Sequence, residues 1–143
     1  MRFIFAAAAA AIATACSQAP APSPERLAIT APAEETRILA AMSYARWCGS
    51  CKALDPKVEA AKATGTFEGV EFALLDYTDR DADTYFANAD TLGVGDTMRS
   101  LFADSVSTGR LYLISLETGD IVATIDKSMD IETIAQTISD AAA

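Results

Sequence analysis

The feature that most constrains this chain is Trp47-Cys48-Gly49-Ser50-Cys51-Lys52, which lies between a run that reads as a strand and a run that reads as a helix. Arg37 to Ser43 is almost continuously apolar and reads as a buried strand. From Ala53 to Thr64, the residues Leu54, Val58 and Ala61 fall at the four- and seven-residue offsets of one helical face, with Pro56 placed to bend it. The cysteine pair therefore sits where a strand hands over to a helix N-terminus. Unpaired N–H groups and the helix dipole favour a thiolate there and lower the pKa of the first cysteine. Two cysteines separated by two residues can close a small disulfide and open it again. A low-pKa thiol within reach of a second thiol is what thiol–disulfide exchange requires.

The absence of histidine excludes much other chemistry. Neither a Ser-His-Asp nor a Cys-His pair has its base. Haem attachment needs His after the second cysteine, where this chain has Lys52. Cys48 and Cys51 alone leave a tetrahedral metal two ligands short, so no metal and no cofactor are expected. The acidic run Asp76, Asp79, Arg80, Asp81 and Asp83 lacks the ligand spacing of a helix-loop-helix calcium site and reads as solvated surface. With 143 residues, 51% hydrophobic and 22% charged, the chain has room for one soluble domain. Its net charge of −9 repels nucleic acid and anionic lipid, so the expected partners are proteins.

The N-terminus reads as an export signal over residues 1–15: a charge at Arg2, a short apolar run from Phe3 to Ala15, and small residues at Ala13-Thr14-Ala15. The run is too short to span a bilayer as a helix. Ala13-Thr14-Ala15-Cys16 resembles a bacterial lipoprotein box, although leucine is usual where Ala13 stands. Cys16 is accordingly the expected lipidation site, and lipidation accounts for the odd third cysteine. Residues 16–33, rich in Pro and Ala, read as the lipidation site and a disordered tether, and residues 34–143 as the folded domain. The first packed residue is expected between Glu25 and Arg37, with Leu27 to Thr30 as a short strand flanked by prolines. The expected location is the periplasmic side of the cell envelope, with membrane contact through the lipid anchor only.

Farther along, Val70 to Asp76 reads as a strand, Asp81 to Asn88 as a helix, and Thr97 to Ala103 as a second short helix after Gly93-Val94-Gly95. Leu111 to Ile114 and Ile121 to Ile125 form a hairpin through Glu117-Thr118-Gly119-Asp120. A last helix, capped by Ser128 or Asp130, buries Ile131, Ile134, Ala135 and Ile138. Early crossovers with a late hairpin imply an α/β fold, a mixed sheet with helices on both faces.

With this order, the chain resembles the thioredoxin family from about Arg37 to Ile138. Trp47, Cys48, Gly49, Cys51 and Lys52 match the active-site signature, Ser50 stands where thioredoxins have proline, and Pro56 falls at the helix-bending proline. The resemblance implies a three-layer sandwich. It implies Cys48 as the attacking and Cys51 as the resolving cysteine, Trp47 shielding the site, and Lys52 just past the buried thiol. Gly49 and Ser50, between the cysteines, complete the supporting set. Met42 takes the place of the family's buried aspartate, and Gly109 that of its cis-proline. These departures bear on the rate and direction of exchange, not on the fold. Tyr44 and Arg46 line the approach to the pair. The expected activity is protein-disulfide reduction on exported proteins, with disulfides or dithiols of such proteins as partners and a membrane electron donor to recharge the pair. The competing expectation is a non-catalytic binding or chaperone module with a structural disulfide.

Overall fold

The computed structural model describes residues 29–143. The export signal, Cys16 and the tether up to residue 28 lie outside the described residues. In chain order the elements are β1 (Ile38–Tyr44), α1 (Gly49–Lys62), β2 (Val70–Asp76), α2 (Ala82–Thr91), α3 (Gly95–Leu101), β3 (Arg110–Ser115), β4 (Ile121–Asp126) and α4 (Ile131–Ala142). The sheet runs β2-β1-β3-β4. β1 pairs parallel with β2 and antiparallel with β3, and β3 and β4 form the expected hairpin.

β1 is central, and its side chains alternate between two cores, which explains the unbroken apolar run from Ile38 to Met42. Ile38, Ala40 and Met42 pack with Leu54 and Val58 of α1 and Ile134 and Ile138 of α4. Leu39 and Ala41 pack with Tyr85, Leu92 and Met98 from the α2–α3 side. The result is a mixed sheet with helices on both faces, as the sequence implies. Each fully buried Leu, Ile or Val contributes roughly 1.5–3 kcal/mol, so the two faces together hold β1, and the loop that leaves it, firmly in place.

Several boundaries differ from the sequence reading. α1 begins at Gly49 rather than Ala53, because Cys48 itself is its N-cap. Ile29 and Thr30 form no strand, although Ile29 already packs on the second core. Beside it, Ala33 N–H and the Thr36 hydroxyl donate to Glu71 on the edge strand β2, each at 3.1 Å. α3 starts at Gly95, which sequence alone marks as a breaker. A Cβ at Gly95 would collide with the Asp90 carboxylate, which grips Arg99 at 2.6 Å. α4 is capped by Asp130, which accepts from Thr133 N–H at 2.7 Å. Ile134 and Ile138 are buried, but Ile131, at the first helical position ahead of the buried turn, remains 40% exposed. Among the described residues no helix is long and apolar enough to cross a membrane.

Candidate redox site at the β1–α1 junction

β1 ends at Tyr44, and a tight turn closed by Cys48 N–H to Ala45 C=O (3.0 Å) delivers the chain to the helix. Cys48 has extended backbone (φ −81, ψ 112), and its Sγ accepts the Cys51 N–H at 3.1 Å, where a Ser or Asp oxygen would ordinarily cap. The first turn of α1 contains no acidic residue. An N–H aimed at the sulfur, the positive end of the helix dipole and no nearby carboxylate on that turn all favour negative charge on Cys48.

Cys48 and Cys51 are joined as a disulfide with Cα atoms 5.3 Å apart. The two sulfurs are not equivalent. Cys48 retains 7% exposure, whereas Cys51 is fully enclosed among Met42, Leu54 and Leu111. Cys51 Sγ lies 3.8 Å from the Ser43 carbonyl. Met42 presents a thioether to this apolar core, so no carboxylate stands there to take a proton from Cys51.

Trp47 is 47% exposed directly beside Cys48. Its Nε1 donates to Thr78 C=O at 2.9 Å, and the Arg80 guanidinium lies 4.5 Å from its ring. Thr78 Oγ1 accepts the Arg46 N–H at 3.0 Å and donates to Asp76, and Tyr77 N–H bonds the Tyr44 carbonyl at 2.7 Å. The Asp76–Arg80 segment, which reads in sequence as solvated surface, is therefore the clamp that holds the approach loop. The Asp76-x-Thr78 spacing is a side-chain-to-backbone turn signal and was the available clue.

On the other strand of the site, Gly109 N–H donates to the Ser43 carbonyl at 2.8 Å. Its φ is +97°, and a Cβ there would lie 2.6 Å from Ser50 Cβ and 3.3 Å from Cys48 Sγ. Only glycine allows this backbone so near the disulfide. The place of a cis-proline is thus taken by a left-handed glycine, and no cis peptide occurs among the described residues. Ser43 anchors the same corner from beneath: its hydroxyl donates to Ser107 C=O at 2.7 Å and accepts from Tyr85 OH at 2.9 Å. Burial pushes the Tyr85 phenol far above its ordinary pKa, so it stays neutral and a donor. Neither Ser43 nor Tyr85 stands out in the sequence, since each looks like an ordinary strand or helix residue.

Beside Ser50 and Gly109 opens a cleft of about 320 Å³, also lined by Thr108, Arg110, Asp126 and Lys127. A larger hollow of about 890 Å³, lined by Asp90, Thr97, Glu117 and Asp120, includes none of the sequence-predicted residues and no thiol. The smaller cleft adjoins the motif through Ser50, with neither cysteine in its lining.

The Thioredoxin family model matches residues 30–88, spanning β1, the cysteine pair, α1, β2 and most of α2. Over that segment the chain is similar to the Thioredoxin family, and its mixed four-stranded sheet with four helices is a thioredoxin-like fold. A comparison with curated proteins finds none that matches it. A thioredoxin domain with the Cys48–Cys51 pair is, in general terms, a thiol–disulfide oxidoreductase. In this domain the structure gathers Trp47, Cys48, Gly49, Ser50 and Cys51 at the helix start, with Lys52 exposed on the next residue and Pro56 farther along α1.

Proposed function

We propose that this thioredoxin-like domain is exported, anchored through a lipid on Cys16, and reduces disulfides of exported proteins with Cys48 as the nucleophile. The observation that carries the role of Cys48 is its position as the helix N-cap, with its sulfur accepting the Cys51 N–H and opening to the rim while Cys51 stays enclosed. In the reduced domain the Cys48 thiolate attacks one sulfur of a partner disulfide and expels the other as a thiolate. The Cys51 thiol gives up its proton to solvent or to that leaving group and attacks the Cys48 sulfur. The second partner thiolate leaves as the Cys48–Cys51 bond closes. Two electrons pass from the domain to the partner, and a membrane dithiol donor must restore them.

Reduction is favoured over oxidation because Gly49-Ser50 lacks the histidine found between the cysteines of strongly oxidising relatives. The test is trapping in the native host: the Cys51→Ser protein should accumulate mixed disulfides through Cys48, since nothing remains to resolve them. Trapping by Cys48→Ser instead would reverse the roles. If neither traps a partner and the wild-type pair is permanently oxidised, the domain is a binding module with a structural bridge. The anchor is checked by fatty-acid labelling, which should mark the wild type but not Cys16→Ala.

A further inference from the structure

The charge of this protein is unevenly placed. The chain carries a net charge of −9, yet cations collect around the disulfide. Arg110 and Lys127, both exposed, line the cleft beside Ser50 and Gly109, and a Cβ on Gly109 would touch Cys48 Sγ. Arg80 reaches the same site through Trp47, its guanidinium stacked 4.5 Å from the ring. Arg46 and Lys52, exposed, flank the motif in sequence.

Arg80 is not placed there at random. It is the non-glycine residue with positive φ (58°) among the described residues, at the end of a turn closed by its N–H to Tyr77 C=O at 3.0 Å. A side chain in that conformation is disfavoured, and the fold nonetheless holds it over the exposed active-site indole. The nearby anions keep their charge while serving local turns. Asp126, in the cleft, is held below the usual carboxylate range first by the Ser128 hydroxyl and N–H and further by Arg110 and Lys127, so it offsets one of these two cations and leaves the cleft with one net positive charge. Asp76 accepts from Thr78, and Asp81 caps α2. Asp79, exposed, adjoins Arg80 and subtracts from the field without removing the cations.

We infer that this cationic rim, Arg80 with Arg110 and Lys127, selects partner segments that carry carboxylates beside their disulfide-bonded cysteine. The inference rests on the exchange activity proposed above and adds the class of substrate. An acidic segment is repelled by the net negative charge of the chain and attracted at the rim, which orients it toward Cys48 and raises its encounter rate. Once seated, its carboxylates lie against Arg110 and Lys127 while its sulfur faces the open side of Cys48.

The test uses the reduced full-length protein and three peptides of equal length. In each, one cysteine is in mixed disulfide with a small neutral thiol and is flanked by Asp, Ser or Lys. The second-order rate for the Asp peptide should exceed that for the Lys peptide by about tenfold at low ionic strength, and the ratio should approach one in 0.5 M salt. Arg110→Gln with Lys127→Gln should lower the ratio, and so should Arg80→Asn, a residue that tolerates left-handed backbone. Circular dichroism verifies that each variant is folded. Equal rates for the three peptides, or a ratio that survives all three substitutions, overturns the rim and leaves the exchange activity standing. No reaction with the Ser peptide overturns the exchange activity and the rim with it.

Discussion

Replacing Gly109 by alanine should destabilise the oxidised domain severely, although it adds a single methyl group. Two separate costs are readable. The backbone at 109 has φ +97°, where a Cβ costs about 1–2 kcal/mol. The new Cβ would also lie 2.6 Å from Ser50 Cβ, well inside an ordinary contact of roughly 3.5–4.0 Å. Ser50 Cβ is fixed to the first turn of α1 and cannot rotate away, so the helix start or the loop before β3 must shift. Overpacking of this kind costs about 1–3 kcal/mol. Together these give about 2–5 kcal/mol, a fall in Tm on the order of 10–20 °C for a domain of this size. The assay is guanidinium unfolding of oxidised wild type, Gly109→Ala, Ser50→Gly and the double variant. Because Ser50→Gly removes the atom that is struck, the double-mutant cycle should return a favourable coupling of about 1–3 kcal/mol, while the φ cost persists. If Gly109→Ala is within about 0.5 kcal/mol of wild type, or if Ser50→Gly gives no rescue, the close approach of this loop to the cysteine turn is wrong.

Two further outcomes follow from the hydrogen bonds. Ser43→Ala strands the buried Tyr85 hydroxyl and should cost about 1–3 kcal/mol, whereas Tyr85→Phe removes one donor from Ser43 and should cost about 1 kcal/mol; equal or inverted losses in urea unfolding would show that the pair is not formed. Asp130, which caps α4, has its carboxyl held below the usual range by the Thr133 N–H. A depressed folded-state pKa gives stability that is present at neutral pH and lost as pH falls through that pKa. Asp130→Ala should therefore lower Tm at pH 7, and the gap should shrink as pH drops below about 4, the ordinary carboxylate range; a pH-independent gap would remove the cap from the account.

How far the sequence reaches depends on whether a signal is local. The Trp47–Lys52 motif, the apolar run of β1, the Leu54-Val58-Ala61 face and the hairpin through Gly119 are written in adjacent residues. Periodicity and turn chemistry were therefore enough to place the cysteine pair at a strand-to-helix junction in a mixed sheet. What tertiary structure alone decided lies in contacts between distant segments. Cys48 is the N-cap because its own sulfur meets the Cys51 N–H, which moves the helix start to Gly49. Gly109 needs its missing side chain because β3 arrives beside Ser50 and Cys48, 59 and 61 residues away in the chain. Asp76, Thr78 and Arg80 look solvated until β2, paired parallel with β1, carries them to Trp47. Ser43 and Tyr85, 42 residues apart, meet only because α2 packs on that face of the sheet. Composition and spacing report what each residue can do, and sheet register decides which of them stand together.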